Sequence, residues 1–249
     1  MKLQLIRNAT MKITYAGHTL LTDPMLSPKG AFEGFAGIAR NPTVELPFPV
    51  EAILDGIAAV VVSHTHADHL DPAAIAAIPK ETPLFCQPGD QAKMIENGFH
   101  AVTPVEGSLT WEGLTLSRTG GAHGKGEILK RMGEVSGFVF QGKDEPTVYW
   151  VGDSIWCDTV QTAIETHRPD VIITHSGGAT LPGHAPIIMD VEQTLAMAQA
   201  APDAIVVAIH MEALDHCGVG RQDLRRMADD AGISQSRLMI PSDGEALRF

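Results

Sequence analysis

The chain has 249 residues, 44% of them hydrophobic and 19% charged, and a formal net charge of −12. Length and composition suffice for a full globular core, while the acidic balance excludes a nucleic-acid-binding face, which needs clustered Lys and Arg. Three scattered cysteines, Cys86, Cys157 and Cys217, make no disulfide framework, and the N-terminal residues lack a signal-peptide or membrane-spanning apolar stretch, so a cytoplasmic protein is expected.

Residues 2–26 read as a β-hairpin with a further strand. Leu3 and Leu5, then Met11, Ile13 and Tyr15, alternate about a turn at Arg7-Asn8-Ala9-Thr10, and a strand over 19–23 stops at Pro24. Ser27 to Pro49 is irregular and rich in Gly, Pro and Phe. A stretch of that kind is a lid, a binding loop or a packed Ω-loop. The β-branched run Ile57–Val62 predicts a short buried strand. It leads directly into Ser63-His64-Thr65-His66-Ala67-Asp68-His69-Leu70-Asp71, with three histidines and an aspartate inside six positions. Imidazoles crowded in this way gain little from one another, and imidazole plus carboxylate is the donor set of divalent metals. Asp71 as N-cap and Pro72 at the first position predict a helix from 72. The cluster therefore lies on a strand-to-helix loop, the kind of strand end at which open α/β sheets carry their sites.

The same pattern recurs down the chain. Leu114–Thr119 leads to His123, Thr147–Val151 to Asp153, Val171–Ile173 to His175, and Ala204–Ile209 to His210. Helices are predicted between them at 91–97, 157–167, 190–200 and 221–231, with Asp190 and either Ser154 or Asp158 as N-caps. This alternation predicts a layered α/β fold with its strand ends gathered on one edge. There is no short-period repeat and no low-complexity linker, so residues 1–249 are expected to form a single domain.

The spacing His64-x-His66-x-Asp68-His69, followed by His123, Asp153 and His210, resembles the metallo-β-lactamase fold superfamily. Gly17-His18-Thr19-Leu20-Leu21-Thr22-Asp23-Pro24 is similar to one branch of it. That branch holds ascorbate-phosphate lactonases, the phospholipase D acting on N-acyl phosphatidylethanolamines, and cytosolic metal-dependent hydrolases. The resemblance implies an αββα sandwich of two mixed sheets flanked by helices, with a metal site at one edge. It also implies two divalent ions, Zn2+ in first place and Mn2+ in second. His64, His66 and His123 would hold one ion, Asp68, His69 and His210 the other, with Asp153 between them. A histidine at 66, where diiron oxidoreductases of this fold carry glutamate, favours a redox-silent metal.

Such ions lower the pKa of a water from about 15.7 to about 7. Asp68 is then a catalytic candidate, able to orient that water and take its proton. His184 is a second, by its place in a Gly-His loop. His18, Lys125 and His175 are candidate substrate contacts, with Lys130 and Arg131 as further basic groups, and His216 is expected to cover the site. For each, an exposed or merely hydrogen-bonding role is the competing reading. No Gly-x-Ser-x-Gly elbow is present, so direct hydrolysis of a small ester, lactone or phosphodiester is expected. The alternatives are an amide or β-lactam hydrolase and a non-catalytic metal or ligand sensor on the same fold. The expected partner is a small-molecule substrate, not nucleic acid or membrane, and a homo-oligomer stays open.

Overall fold

The computed structural model describes residues 1–249. The first half opens with β1 (Lys2–Arg7), β2 (Thr10–Tyr15) and β3 (His18–Thr22), then α1 (Val50–Leu54), β4 (Ala59–Val62), α2 (Pro72–Ala77), β5 (Leu84–Cys86), α3 (Gln91–Glu96) and β6 (Val102–Pro104). The second half runs through β7 (Ser108–Trp111), β8 (Leu114–Thr119), α4 (Ile128–Met132), β9 (Gly137–Gly142), β10 (Val148–Trp150), α5 (Asp158–His167) and β11 (Val171–His175). It continues with α6 (Val191–Ala200), β12 (Ile205–Ile209), α7 (Arg221–Asp230) and β13 (Leu238–Met239). A last strand, β14 (Ala246–Arg248), returns to pair antiparallel with β1.

Two seven-stranded sheets result, ordered β14-β1-β2-β3-β4-β5-β6 and β13-β12-β11-β10-β9-β8-β7. Each is antiparallel on one side and parallel on the other, where helical crossovers connect successive strands. Leu3, Leu5, Ile13 and Val61 of the first sheet meet Phe138, Phe140, Trp150 and Ile173 of the second in a shared core. The outer face of the first sheet buries Val60 and Val62 against Ile53, Ala74 and Met94 of α1, α2 and α3. The outer face of the second buries Tyr149, Ile172 and Val206 against Val160, Met197 and Leu224 of α5, α6 and α7. The expected αββα layering is therefore present. Strands covered on both faces need apolar residues at every position. That is why Ala59–Val62 and Val206–Ile209 are unbroken apolar runs with no alternation.

The antiparallel hairpin follows its alternation, with Leu5 opposite Met11 and Arg7 opposite Thr10, and a bulge between Leu5 and Arg7. Asp71 caps α2, accepting from Ala74 N at 2.7 Å, and Asp190 caps α6, accepting from Gln193 N at 2.9 Å. The start of α5 differs from expectation. Its N-cap is Cys157, with no side-chain cap bond, and Asp158 already lies in the first turn. Ser154 is diverted: its hydroxyl accepts from Ala122 N and donates to Ile155 O. Residues 27–49 carry no helix or named strand, only an isolated bridge between Phe32 and Asn41. No helix is long and apolar enough to cross a membrane, and all three cysteines are free.

Candidate metal centre

The C-terminal ends of β4, β8, β10, β11 and β12 meet at one edge, at the seam between the sheets. The loops leaving them carry His64, His66, Asp68 and His69; His123; Asp153; and His210. Asp153 Oδ2 stands 3.2 Å from His69 Nε2, 3.4 Å from His123 Nε2 and 3.9 Å from His64 Nε2. Asp68 Oδ2 is 3.2 Å from His210 Nε2 and 3.3 Å from His69 Nε2. His64 Nε2 and His66 Nδ1 lie 2.9 Å apart. All seven expected metal ligands thus converge, and Asp153 lies between the two groups.

The tautomers follow from what holds each ring. Ser63 Oγ donates to Asp23 Oδ2 at 2.6 Å, so it accepts from His64 Nδ1 at 3.0 Å. His69 Nδ1 donates to Asp23 Oδ2 at 2.6 Å, and His123 Nδ1 donates to Ile187 O at 2.9 Å. His210 Nδ1 faces Cys217 Sγ at 3.7 Å. The Nδ1 partners of His64, His69 and His123 leave Nε2 as the atom presented to the centre, and His210 presents its Nε2 as well, 3.2 Å from Asp68 Oδ2. His69 Nε2 is fully buried and has no hydrogen-bond partner. Buried lone pairs and carboxylates facing one another without partners are costly, and a divalent cation is the group that this donor set fits.

The electrostatics carry the same demand. Burial works against charge on His69, but Asp153, Asp68 and Asp23 outweigh it and push its pKa well above the usual imidazole value. Burial and then the neighbouring His69 hold His64 well below it. Asp153 is depressed well below the usual carboxylate range, because His69 and His210 overcome its desolvation. These anions draw positive charge into the centre.

Two supporting residues lie close enough to be mistaken for ligands. Asp23 accepts from Ser63 N, Ser63 Oγ and His69 Nδ1, which uses both of its oxygens. His175 is in the same position: its Nε2 accepts from Trp150 Nε1 at 3.0 Å, so its Nδ1 carries the proton and donates to Asp153 Oδ1 at 2.5 Å. Burial pushes its pKa down to about 4, in keeping with a neutral ring. Sequence reasoning missed the role of Asp23, although it obeys the same rule as the others, a polar residue at a strand exit. The turn of the first hairpin braces the loops from behind, with Asn8 Nδ2 donating to Asp68 O and Asn8 O accepting from His210 N. Gly177 must be glycine, since a Cβ there would stand 2.1 Å from His210 O.

A cavity of about 210 Å3 opens over Asp68, Asp153, His66 and His123, walled by Phe35, Met132, Leu181 and Ile187. His216 and Arg131 complete it. The expected substrate contacts fare unevenly. His175 is buried behind Asp153 and does not reach the cavity, so it supports a ligand and cannot touch substrate. His18 opens β3, whose other end adjoins the centre, and its ring lies 5.0 Å from that of Trp111, tilted by 52°. Five residues of strand at about 3.3 Å each put it about 16 Å from the metal edge. His184 and Lys125 are exposed and outside the cavity wall. Lys130 pairs with Glu127. Of the basic cluster past His123, Arg131 alone lines the cavity.

A family model for a beta-lactamase superfamily domain matches residues 18–211. The UPF0173 protein YddR of Bacillus subtilis is 37% identical over 255 residues, covering 100% of each chain. A UPF0173 metal-dependent hydrolase of Azorhizobium caulinodans is 23% identical over 187 residues, covering 71% of this chain and 73% of its own. Among solved structures, an isothiocyanate hydrolase from Delia radicum gut bacteria superposes with a TM-score of 0.95 at 37% identity. The match covers 100% of this chain and 99% of that one.

Proposed function

The chain belongs to the beta-lactamase superfamily, among the UPF0173 metal-dependent hydrolases, and from that premise we propose that it binds two divalent ions, zinc in first place, and hydrolyses small, uncharged substrates at an electrophilic carbon. The first substrate to test is an isothiocyanate with an apolar substituent. The single observation that carries this reading is the cavity wall. Phe35, Met132, Leu181 and Ile187 surround the open side of the donor cluster, which suits an apolar group beside a reactive carbon. The isothiocyanate hydrolase at 37% identity supports the same class. Carboxyl esters and lactones offer a comparable carbon and are the next candidates.

A bound divalent ion supplies Lewis acidity and a water of lowered pKa. The protein's own groups do the rest. Asp68 Oδ2 is hydrogen-bonded to His210 Nε2 and lies 3.3 Å from His69 Nε2, while Oδ1 has no protein partner beside the cavity, so it is free to take the proton of the attacking water. His175 and Trp150 fix the rotation of Asp153, and Asp23 fixes His69. The apolar wall excludes competing water. For an isothiocyanate, water adds across the C=N bond to give R–NH–C(=O)–SH. That thiocarbamate then loses COS and leaves R–NH2, so the sum is R–N=C=S + H2O → R–NH2 + COS. The acidic surface, net charge −12, also favours neutral substrates over polyanions.

A second reading, phosphodiester hydrolysis, draws on Arg131, the basic side chain in the wall. One panel separates the two. Metal-loaded protein is assayed with benzyl isothiocyanate, p-nitrophenyl butyrate and bis(p-nitrophenyl) phosphate. Turnover of the first, with amine and COS in equal amounts, is expected. Turnover of the phosphodiester alone would overturn the carbon-electrophile reading, and metal binding without turnover of any would point to a sensor.

A further inference from the structure

One loop closes over the cavity by wrapping a single distant carboxylate. Asp215 Oδ1 accepts from Phe35 N at 2.8 Å and Asn41 Nδ2 at 3.0 Å, and Oδ2 accepts from Ala36 N at 3.2 Å and Ile38 N at 3.0 Å. Asp215 N in turn donates to Asn41 Oδ1 at 2.8 Å. The wrap is so close that a Cβ on Gly34 would stand 2.0 Å from Ala39 O and 2.3 Å from Asp215 Oδ2. It brings the Phe35 ring edge-on to His216, with centroids 5.0 Å apart and planes at 83°. Both residues line the cavity.

His216 is 9% exposed, and its Nδ1 is buried with no partner. No protein group bonds its Nε2 either, so the ring is the one buried imidazole whose side chain makes no hydrogen bond at all within the fold. A buried polar atom left in this way is costly and is normally found bonded. Burial, ahead of the influence of Asp68 and His210, lowers its pKa, so the ring is neutral and offers one donor and one acceptor. It lines the same cavity as Asp68 and Asp153 without a hydrogen bond to either.

We propose that His216 is a substrate-contacting residue that hydrogen-bonds a heteroatom flanking the reactive carbon, and that the loop 34–41, wrapped on Asp215, positions it through Phe35. The class of ligand, a small neutral thiocarbonyl or carbonyl compound, rests on the hydrolase reading above; the role of the ring does not. The probe for binding is thiobenzamide, a stable neutral molecule with a C=S and an N–H beside an apolar ring. Its affinity for the metal-loaded protein is measured by calorimetry for wild type, His216→Ala and His216→Gln, with metal content determined on each. Kinetics with benzyl isothiocyanate run in parallel.

Wild type is expected to bind the probe. His216→Ala should weaken it about tenfold with metal content unchanged, and His216→Gln, which keeps a neutral donor and acceptor, should restore most of the loss. KM should rise more than kcat falls. Equal affinity in wild type and His216→Ala, no binding by wild type, or loss of affinity together with loss of metal overturns the proposal. Binding that depends on His216, without turnover of benzyl isothiocyanate, leaves it standing while the substrate assignment falls.

Discussion

At the scale of the residue, the centre depends on side chains that touch no substrate. Asp23 takes the proton-bearing Nδ1 of His69 and, through Ser63, steers His64. Partners of this kind are worth about 10- to 100-fold in metal affinity. Asp23→Ala should therefore weaken metal binding by that factor in a competitive chelator titration; an unchanged curve would remove Asp23 from the metal site. Asp68→Asn keeps the size of the side chain but loses proton acceptance. Turnover is expected to fall by about 10² or more, and full activity at full metal content would exclude Asp68 from the proton transfer. The imidazole ligands must be deprotonated to bind metal, so bound metal should be lost progressively as the pH falls, read by elemental analysis after desalting at each pH.

At the scale of the element, the loop over residues 27–49 packs on itself, with Phe32 bridging Asn41 and its ring 5.7 Å from that of Phe35, and is also anchored from outside. Its tip is tied to a carboxylate far along the chain. Asp215→Ala removes the acceptor of several backbone N–H groups, each bond to a charged acceptor being worth about 1.5–3 kcal/mol. The amides of Phe35, Ala36 and Ile38 should then exchange with solvent much faster, as hydrogen-exchange mass spectrometry would detect, while the β4 amides stay protected. Protection that persists in Asp215→Ala would mean that other contacts hold the loop. This tie also marks the limit of what the sequence discloses. Continuous apolar runs ending in His or Asp were legible because burial on both faces and metal donation leave local signatures. The capping of α2 and α6 was legible for the same reason. Asp215 binding Phe35, and Asp23 binding His69, are pairings across the fold with no periodicity to announce them. His18 was misjudged because nearness in sequence to Asp23 says nothing about direction; β3 carries them to opposite ends of a strand. The short edge strands β13 and β14, two and three residues long, carry too little pattern to be read in advance.

At the scale of the whole molecule, the ligands come from both sheets. His64, His66, Asp68 and His69 leave the first, and His123, Asp153 and His210 leave the second. Metal binding therefore fastens the two halves at one edge, while β14 pairing with β1 carries the chain from the second sheet back to the first. A ligand present at about 1,000 times its Kd stabilises a fold by about 4 kcal/mol, which for a chain of this size raises Tm on the order of 10 °C. Chelation should lower the melting temperature by that amount and added zinc should restore it. An identical Tm with and without chelator would mean that the cluster binds no ion.

The hydrogen bond from Trp150 to His175 has a consequence of another kind. The indole is fully buried, and two linked hydrogen bonds join it to Asp153 at the heart of the cluster. A change of charge at the far end of that relay is expected to perturb the indole's excited state, which would make the emission spectrum a gauge of site occupancy. Loading with zinc should shift the emission band, and loading with cobalt, which absorbs in the visible, should dim it. Trp150→Phe would abolish most of the response even though Trp111 and Trp156 remain, turning a structural bond into an optical titration of the metal centre.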